Sequence, residues 1–139
     1  MTTRHRWHLL ALGMILAAAG CGDSGLVNAS GRLTYKGQPV PSTLVTFWPA
    51  EEGKRASTGV TDDDGNFTLS YSRQEPGVLV GRHTVFLAYH VSIEEELGKV
   101  PPKASKELKA VIARYGDPKT SNLHYEIKEN GQRIEINLE

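Results

Sequence analysis

From Ser30 onward, apolar residues recur at every second position in short runs, and Gly, Pro, Asn and Asp punctuate the gaps. A two-residue period sends alternate side chains to opposite faces, so each run predicts a strand with one face toward a core. Gly31 to Tyr35 sets Leu33 and Tyr35 on one face, and Lys36-Gly37-Gln38-Pro39 turns the chain. Ser42 to Pro49 sets Val45 and Phe47 against Leu44, Thr46 and Trp48, and Arg55 to Thr61 is small and polar enough for an edge. Asp62-Asp63-Asp64-Gly65-Asn66 turns into a strand through Phe67, Leu69 and Tyr71. After Glu75-Pro76-Gly77, the run Val78 to Gly81 leads into Arg82 to His90. The nearly continuous apolar stretch Val85 to Tyr89 predicts a central strand covered on both faces.

The period then changes. Ile93 to Gly98 and Lys103 to Tyr115 break the alternation, and Leu108, Val111, Ile112 and Tyr115 fall on one helical stripe behind Ser105 as a cap. Alternation returns at Leu123, Tyr125 and Ile127, and again at Ile134, Ile136 and Leu138. Asn130-Gly131 between them is a strong hairpin signal, because both central residues of a type I′ turn need positive φ. The fold class expected is all-β, an antiparallel Greek-key sandwich of about seven strands over residues 30–139 with one short inserted helix.

The first twenty residues follow other rules. Arg4 and Arg6 make a positive start, and Leu9 to Ala19 is an uncharged apolar run of eleven residues. That is short of the roughly 18 residues needed to span a bilayer but right for the core of an export signal. It ends in Ala17-Ala18-Ala19-Gly20, directly before the lone cysteine, Cys21. Small residues followed by cysteine resemble the lipobox of bacterial lipoproteins, in which that cysteine is acylated and becomes the mature N-terminus. The family favours Leu where this chain has Ala18. Two alternatives stand beside this one. Ala17-x-Ala19 also suits ordinary cleavage and release of a soluble protein with a free thiol, and Cys21 as a buried core cysteine is the other, although Gly20-Cys21-Gly22-Asp23-Ser24-Gly25 is a poor core segment.

The expected organisation is a signal peptide over 1–20, a lipidated cysteine and tether over 21–29, and the sandwich domain over 30–139. Asp directly after the lipidated cysteine marks inner-membrane retention in some bacteria. Here Gly22 follows and Asp23 comes one later, which favours the outer membrane.

Charge and composition narrow the function classes. The chain has 139 residues with 16 basic and 16 acidic groups. Without residues 1–20 and their two arginines, 119 residues carry 14 basic and 16 acidic groups, a net charge of −2. Nothing in that balance supplies a basic stripe for nucleic acid. A faintly acidic domain is not drawn to an anionic membrane, so attachment would come from acyl chains. One cysteine makes neither an internal disulfide nor a thiolate zinc site.

Three stretches resemble the transthyretin-like, carboxypeptidase-regulatory-like sandwich domain in the form carried by small planctomycete-type lipoproteins. They are Gly31 to Val40 running on to Val45-Thr46-Phe47-Trp48-Pro49, Gly59 to Leu69, and Val80 to Val85; the tail Ala113 to Leu123 is similar too. Pro is common where this chain has Ala113, which would let the helix run longer. The resemblance implies a two-sheet fold and is nearly silent on activity.

The candidate chemistry has plain structural readings. Asp62 to Asn66 carries oxygen ligands, but an EF-hand needs Gly at its sixth position and Glu at its twelfth, where this chain has Phe67 and Arg73. Asp side chains that accept backbone N–H groups explain the same residues as a turn. His83, His90 and His124 lie 7 and 34 residues apart, so no single element presents a ligand pair. His83 reads as a packing residue and the other two as surface residues. The related iron dioxygenases of two Tyr and two His need closer histidines, and the Tyr-Arg-Gly-Ser ending of transthyretin-like hydrolases is replaced by Ile136-Asn137-Leu138-Glu139. No G-x-S-x-G elbow occurs. Glu94-Glu95-Glu96 reads as a solvated face or a helix start, and Trp48 with Tyr89 as a possible sugar-stacking platform.

The expectation is therefore a non-enzymatic lipoprotein of the cell envelope, a structural or interaction module anchored by Cys21. No catalytic residue, metal ligand or cofactor is expected, and no ligand-binding residue is assigned. The partners would be the membrane through its acyl chains and an envelope protein or glycan. A carbohydrate- or peptide-binding module is the alternative, and an enzyme would need a site centred on His83 with Tyr89.

Overall fold

The computed structural model describes residues 25–139. The expected signal peptide, Cys21 and residues 22–24 lie outside the described residues. The elements are β1 (Leu26–Val27), β2 (Ala29–Tyr35), β3 (Gln38–Pro39), β4 (Thr43–Pro49), β5 (Ser57–Val60), β6 (Asn66–Thr68), β7 (Val78–Leu79) and β8 (Gly81–Tyr89), then α1 (Ile93–Glu96), α2 (Lys106–Arg114), β9 (Leu123–Ile127) and β10 (Gln132–Leu138). They form an all-β, sandwich-like fold. One sheet runs β10-β2-β3 with β6 also paired to β2, the other runs β5-β4-β8-β9, and β1 and β7 make a short ribbon.

Alternation fills the space between the sheets. Leu33, Phe67, Ile134 and Ile136 from one sheet meet Val45, Phe47, Val85, Leu87 and Ile127 from the other, all buried. Thr58 and Ser70 exchange both backbone hydrogen bonds at 2.9 Å and stitch the sheets together along one side. The helix α2 starts on Ser105, whose Oγ accepts from the Leu108 N–H at 3.1 Å, and buries Val111 and Ile112 with Leu108 and Tyr115 beside them. It closes one end of the core: at Leu87 the edge of β8 left free by β9 donates its N–H to the Tyr115 carbonyl at 2.9 Å. Seven of the strands stand where alternation predicts them.

Several expectations need correction. The sandwich is not wholly antiparallel, because β10 runs parallel to β2 over seven residues, from Gln132 beside Ala29 to Leu138 beside Tyr35. Asn130-Gly131 makes no hairpin between β9 and β10; it carries the chain from one sheet to the other. Gly131 has φ +80, but Asn130 is not in the left-handed region. Asn28 instead donates its N–H to Asn130 Oδ1 at 2.9 Å, and Gly131 donates to the Asn28 carbonyl at 2.7 Å. That clamp starts β10 beside the start of β2, and both strands then run the same way. The two-residue loop with both φ positive is Lys36-Gly37, at 49° and 78°, joining β2 to β3.

Part of the stretch expected as a tether is paired into the fold. Leu26 and Val27 pair with Leu79 and Val78, and Ala29 is buried, since apolar side chains gain by leaving water. A second helix, α1, occupies part of Ile93 to Gly98. Finally, β8 is central but covered on one face only: His83, Val85 and Leu87 face the core, while Phe86 is half-buried and Ala88 exposed on the outside.

Candidate functional site

The histidines do not gather. His83 lies on the inner face of β8, its ring centroid 5.8 Å from that of Phe47 and its Nδ1 donating to the Gly81 carbonyl at 2.9 Å. Burial pushes its pKa below the usual histidine value, and the Gly81 carbonyl opposes this only in part, so the ring is neutral at pH 7. His124 stands on β9 opposite Thr84, with Nδ1 3.4 Å from Thr84 Oγ1, and is exposed, as is His90. His83 and His124 border one cleft of about 480 Å³ with Arg82, Tyr125 and Glu126. The His83 ring is turned to Phe47, which leaves His124 as the open imidazole there. Among the described residues, no group of three His, Cys, Asp or Glu side chains is placed to hold a metal ion. His83 and Tyr89 share a strand face but are about 20 Å apart at the rise of a β-strand, so they do not form one site.

The acidic turn spends its oxygens on the backbone. Asp62 Oδ1 accepts from the Asp64 N–H at 3.0 Å and the Asn66 N–H at 2.8 Å, and Gly65 donates to the Asp62 carbonyl at 3.0 Å. Gly65 has φ +77, and a Cβ there would strike the Leu33 carbonyl, so this turn requires glycine. Asp63 pairs with Lys103 at 2.7 Å. The turn docks β6 to β2.

Trp48 and Tyr89 make no common platform. On β4, Trp48 falls opposite Thr84 on the outer face, 53% exposed, with its ring centroid 6.1 Å from Phe86. Tyr89 falls opposite buried Thr43 and packs against the core. The register decides this: Trp48 lies across from Thr84, and Thr84 is an odd number of residues from Tyr89 along β8, so the two point to opposite faces.

The arrangement the sequence did not disclose lies at the helical end. Tyr89 Oη donates to Glu95, 2.9 Å from each carboxylate oxygen, and Lys109 Nζ stands 3.5 Å from Glu95 Oε1 and 4.3 Å from the Tyr89 ring centroid. Burial, and then the Glu95 hydrogen bond, raise the Tyr89 pKa. The Glu95 side chain is only 7% exposed, so α1 turns a carboxylate inward. Its apolar neighbours turn outward: Ile93 is 71% and Leu97 62% exposed, with Val91 and Val100 exposed beside them. This inverts the usual amphipathic arrangement and leaves an aliphatic ridge in water. The only signal available in the sequence was the Glu triplet between Ile93 and Leu97, which is also the pattern of an ordinary solvated turn.

At the other end, a cleft of about 470 Å³ is lined by Arg55, Ala56, Thr58, Ser70, Tyr71, Ser72 and Arg73. The expected lipid-attachment residue, Cys21, lies outside the described residues.

Comparison with known proteins leaves the family open. No family model matches the chain, and no curated protein does. A solved structure, a DUF3823 family protein from Parabacteroides merdae, is similar at 13% identity and a TM-score of 0.43, over 84% of this chain and 47% of that one. The chain thus spans about half the length of that neighbour.

Proposed function

We propose that the chain is a non-enzymatic interaction module of the bacterial envelope, held to a membrane through acyl chains on Cys21. The observation that carries the reading is the ridge of Val91, Ile93, Leu97 and Val100, held in water by a carboxylate pinned inside. Four exposed aliphatic side chains fall within one short segment, Ile93 and Leu97 one helical turn apart, and such grouped apolar exposure suits contact with another molecule. Its place fits an anchored protein. Cys21 is five residues from Leu26, a reach of at most about 18 Å, so the end bearing β1 would lie toward the bilayer. The nine residues of β8 set the ridge about 27 Å away at the other end, directed at partners outside the membrane. Gly22 after the cysteine favours the outer over the inner membrane. Of the residues offered for an enzyme or a sugar platform, His83 packs on Phe47 and Tyr89 is hydrogen-bonded to Glu95.

The test is photo-crosslinking in intact cells from a reactive residue at Leu97, with Lys119 as the exposed control, combined with the intact mass of the mature protein. The expected result is a diacylglyceryl increment on Cys21 and a defined adduct from Leu97 alone. A bare Cys21, or membrane-bound protein giving no adduct from Leu97, would overturn the reading.

A further inference from the structure

The loops at the N-terminal end hold a cationic cleft that an outward ridge does not need. Arg55 comes from the β4–β5 loop and Arg73 from the β6–β7 loop, and both line the 470 Å³ cleft. The Arg55 guanidinium lies 6.0 Å from the Tyr71 ring centroid, within reach of a cation–π contact. Among the described residues, neither arginine has a carboxylate within ion-pair distance; Glu51, in the same loop as Arg55, is taken by Lys54 at 3.6 Å. The lining carries two exposed guanidiniums and, among the described residues, no carboxylate, which favours an anion in the cleft.

The floor is already fixed. Ser70 is bonded on both sides by Thr58, and Tyr71 donates its N–H to the Glu75 carbonyl at 2.9 Å. Ser72 Oγ accepts from the Gln74 and Glu75 N–H groups at 3.3 and 3.1 Å, which leaves its O–H free to donate outward. Planar guanidinium forks with a hydroxyl donor suit the tetrahedral oxygens of a phosphate.

Position supplies the source of the phosphate. Gly77, at the end of the loop carrying Arg73, packs on the Val27 backbone, and β7 pairs with β1. The cleft therefore sits where the chain arrives from Cys21. From this we infer that the Arg55–Arg73 cleft binds the phosphate of a membrane phospholipid headgroup and seats the N-terminal end of the sandwich on the bilayer. The inference rests on the acylation of Cys21 for its lipid source. A mature chain of net charge −2 has no long-range pull toward an anionic surface, so acyl chains provide the local concentration and the cleft provides the orientation.

Two arms test it. In the first, the mature chain carrying Cys21→Ser is titrated with glycerol phosphate, and with glycerol as control, and amide NMR shifts are followed. Saturable shifts confined to Arg55, Ala56 and residues 70–73 are expected, with affinity reduced about tenfold or more in Arg55→Gln/Arg73→Gln. No saturable shift, or no effect of the double variant, overturns the cleft.

In the second, the acylated chain is placed in phosphatidylglycerol vesicles with a fluorophore on Gln74→Cys or on Leu97→Cys and a headgroup-bound quencher. Quenching at 74 and none at 97 is expected, and equal quenching at both overturns the seating. Glycerol phosphate binding by a protein whose Cys21 proves bare overturns the lipid source, and shows that the acylation reading failed while the cleft did not.

Discussion

The two ends of the sandwich are closed by different physics. At the N-terminal end the locks are mostly backbone: β1 zips to β7, and Asn28 exchanges hydrogen bonds with Asn130 and Gly131. At the helical end the lock is a side-chain cluster, Tyr89, Glu95 and Lys109, that draws α1 down onto the end of β8. Backbone locks depend on turn geometry and little on charge, whereas a half-buried charge cluster answers to any change in its members. Only the second kind lets a helix turn its apolar side outward, because the carboxylate supplies the inward attachment a Leu would normally give. The chemistry that can bind a partner thus differs at the two ends, aliphatic at one and cationic at the other.

The most damaging single change should be Glu95→Ala. Tyr89 Oη loses its acceptor and the Lys109 ammonium its counter-charge, a cost of about 2–3 kcal/mol in urea unfolding. A change below about 0.5 kcal/mol would show that α1 is held by something other than this cluster.

Asn130→Ala tests the opposite end. It strips the acceptor from the Asn28 N–H and should cost about 1 kcal/mol, with no sensitivity to salt. A salt-dependent loss would erase the contrast between the ends.

Ser57→Ala should go the other way. Ser57 Oγ is buried on β5 with no hydrogen-bond partner among the described residues, so removing it should be neutral or raise stability by up to about 1 kcal/mol. A clear loss would reveal an unseen partner for that hydroxyl.

The gentlest effect is a slope with pH. Burial lowers the folded pKa of His83, so below about pH 6.5 the unfolded chain takes up a proton that the folded chain refuses. Stability supplied by neutral His83 is complete above that pH and declines as the pH falls toward the folded pKa. His83→Phe should flatten this part of the profile, and an unchanged slope between pH 6.5 and 5 would place its origin elsewhere.

The strands were legible because alternation is local. Val45 with Phe47, and Ile134 with Ile136 and Leu138, were set on shared faces by period alone, and all are buried. Ser105 was legible as a cap for the same reason. What alternation cannot carry is which strand lies beside which. Asn130-Gly131 looked like a hairpin but makes a crossing, in which Asn28, 102 positions away in sequence from Asn130, binds its side chain. The two-sided cover of β8 failed similarly: Phe86 and Ala88 look like core by composition, yet no element of the fold reached that face.

The candidate sites were harder to read. Arg55 and Arg73 belong to separate loops, and Glu95 and Lys109 to separate helices, so their proximity has no signature in spacing. Trp48 and Tyr89 show the reverse case: two aromatics that suggest one surface were set on opposite faces by the register of β4 on β8.

The amino-acid sequence by itself determined an alternating, turn-rich chain bound to fold as layered sheets, the strand faces, and one capped helix, because those properties depend on neighbours a few residues apart. Tertiary structure alone decided the parallel pairing of β10 with β2, the inward turn of Glu95 with the exposed aliphatic side chains around it, and the placing of Arg55 and Arg73 on one cleft. Each joins residues whose contact is selected by the packing of the whole molecule, since a side chain's partner across a fold is set by which surfaces are left after the core has closed.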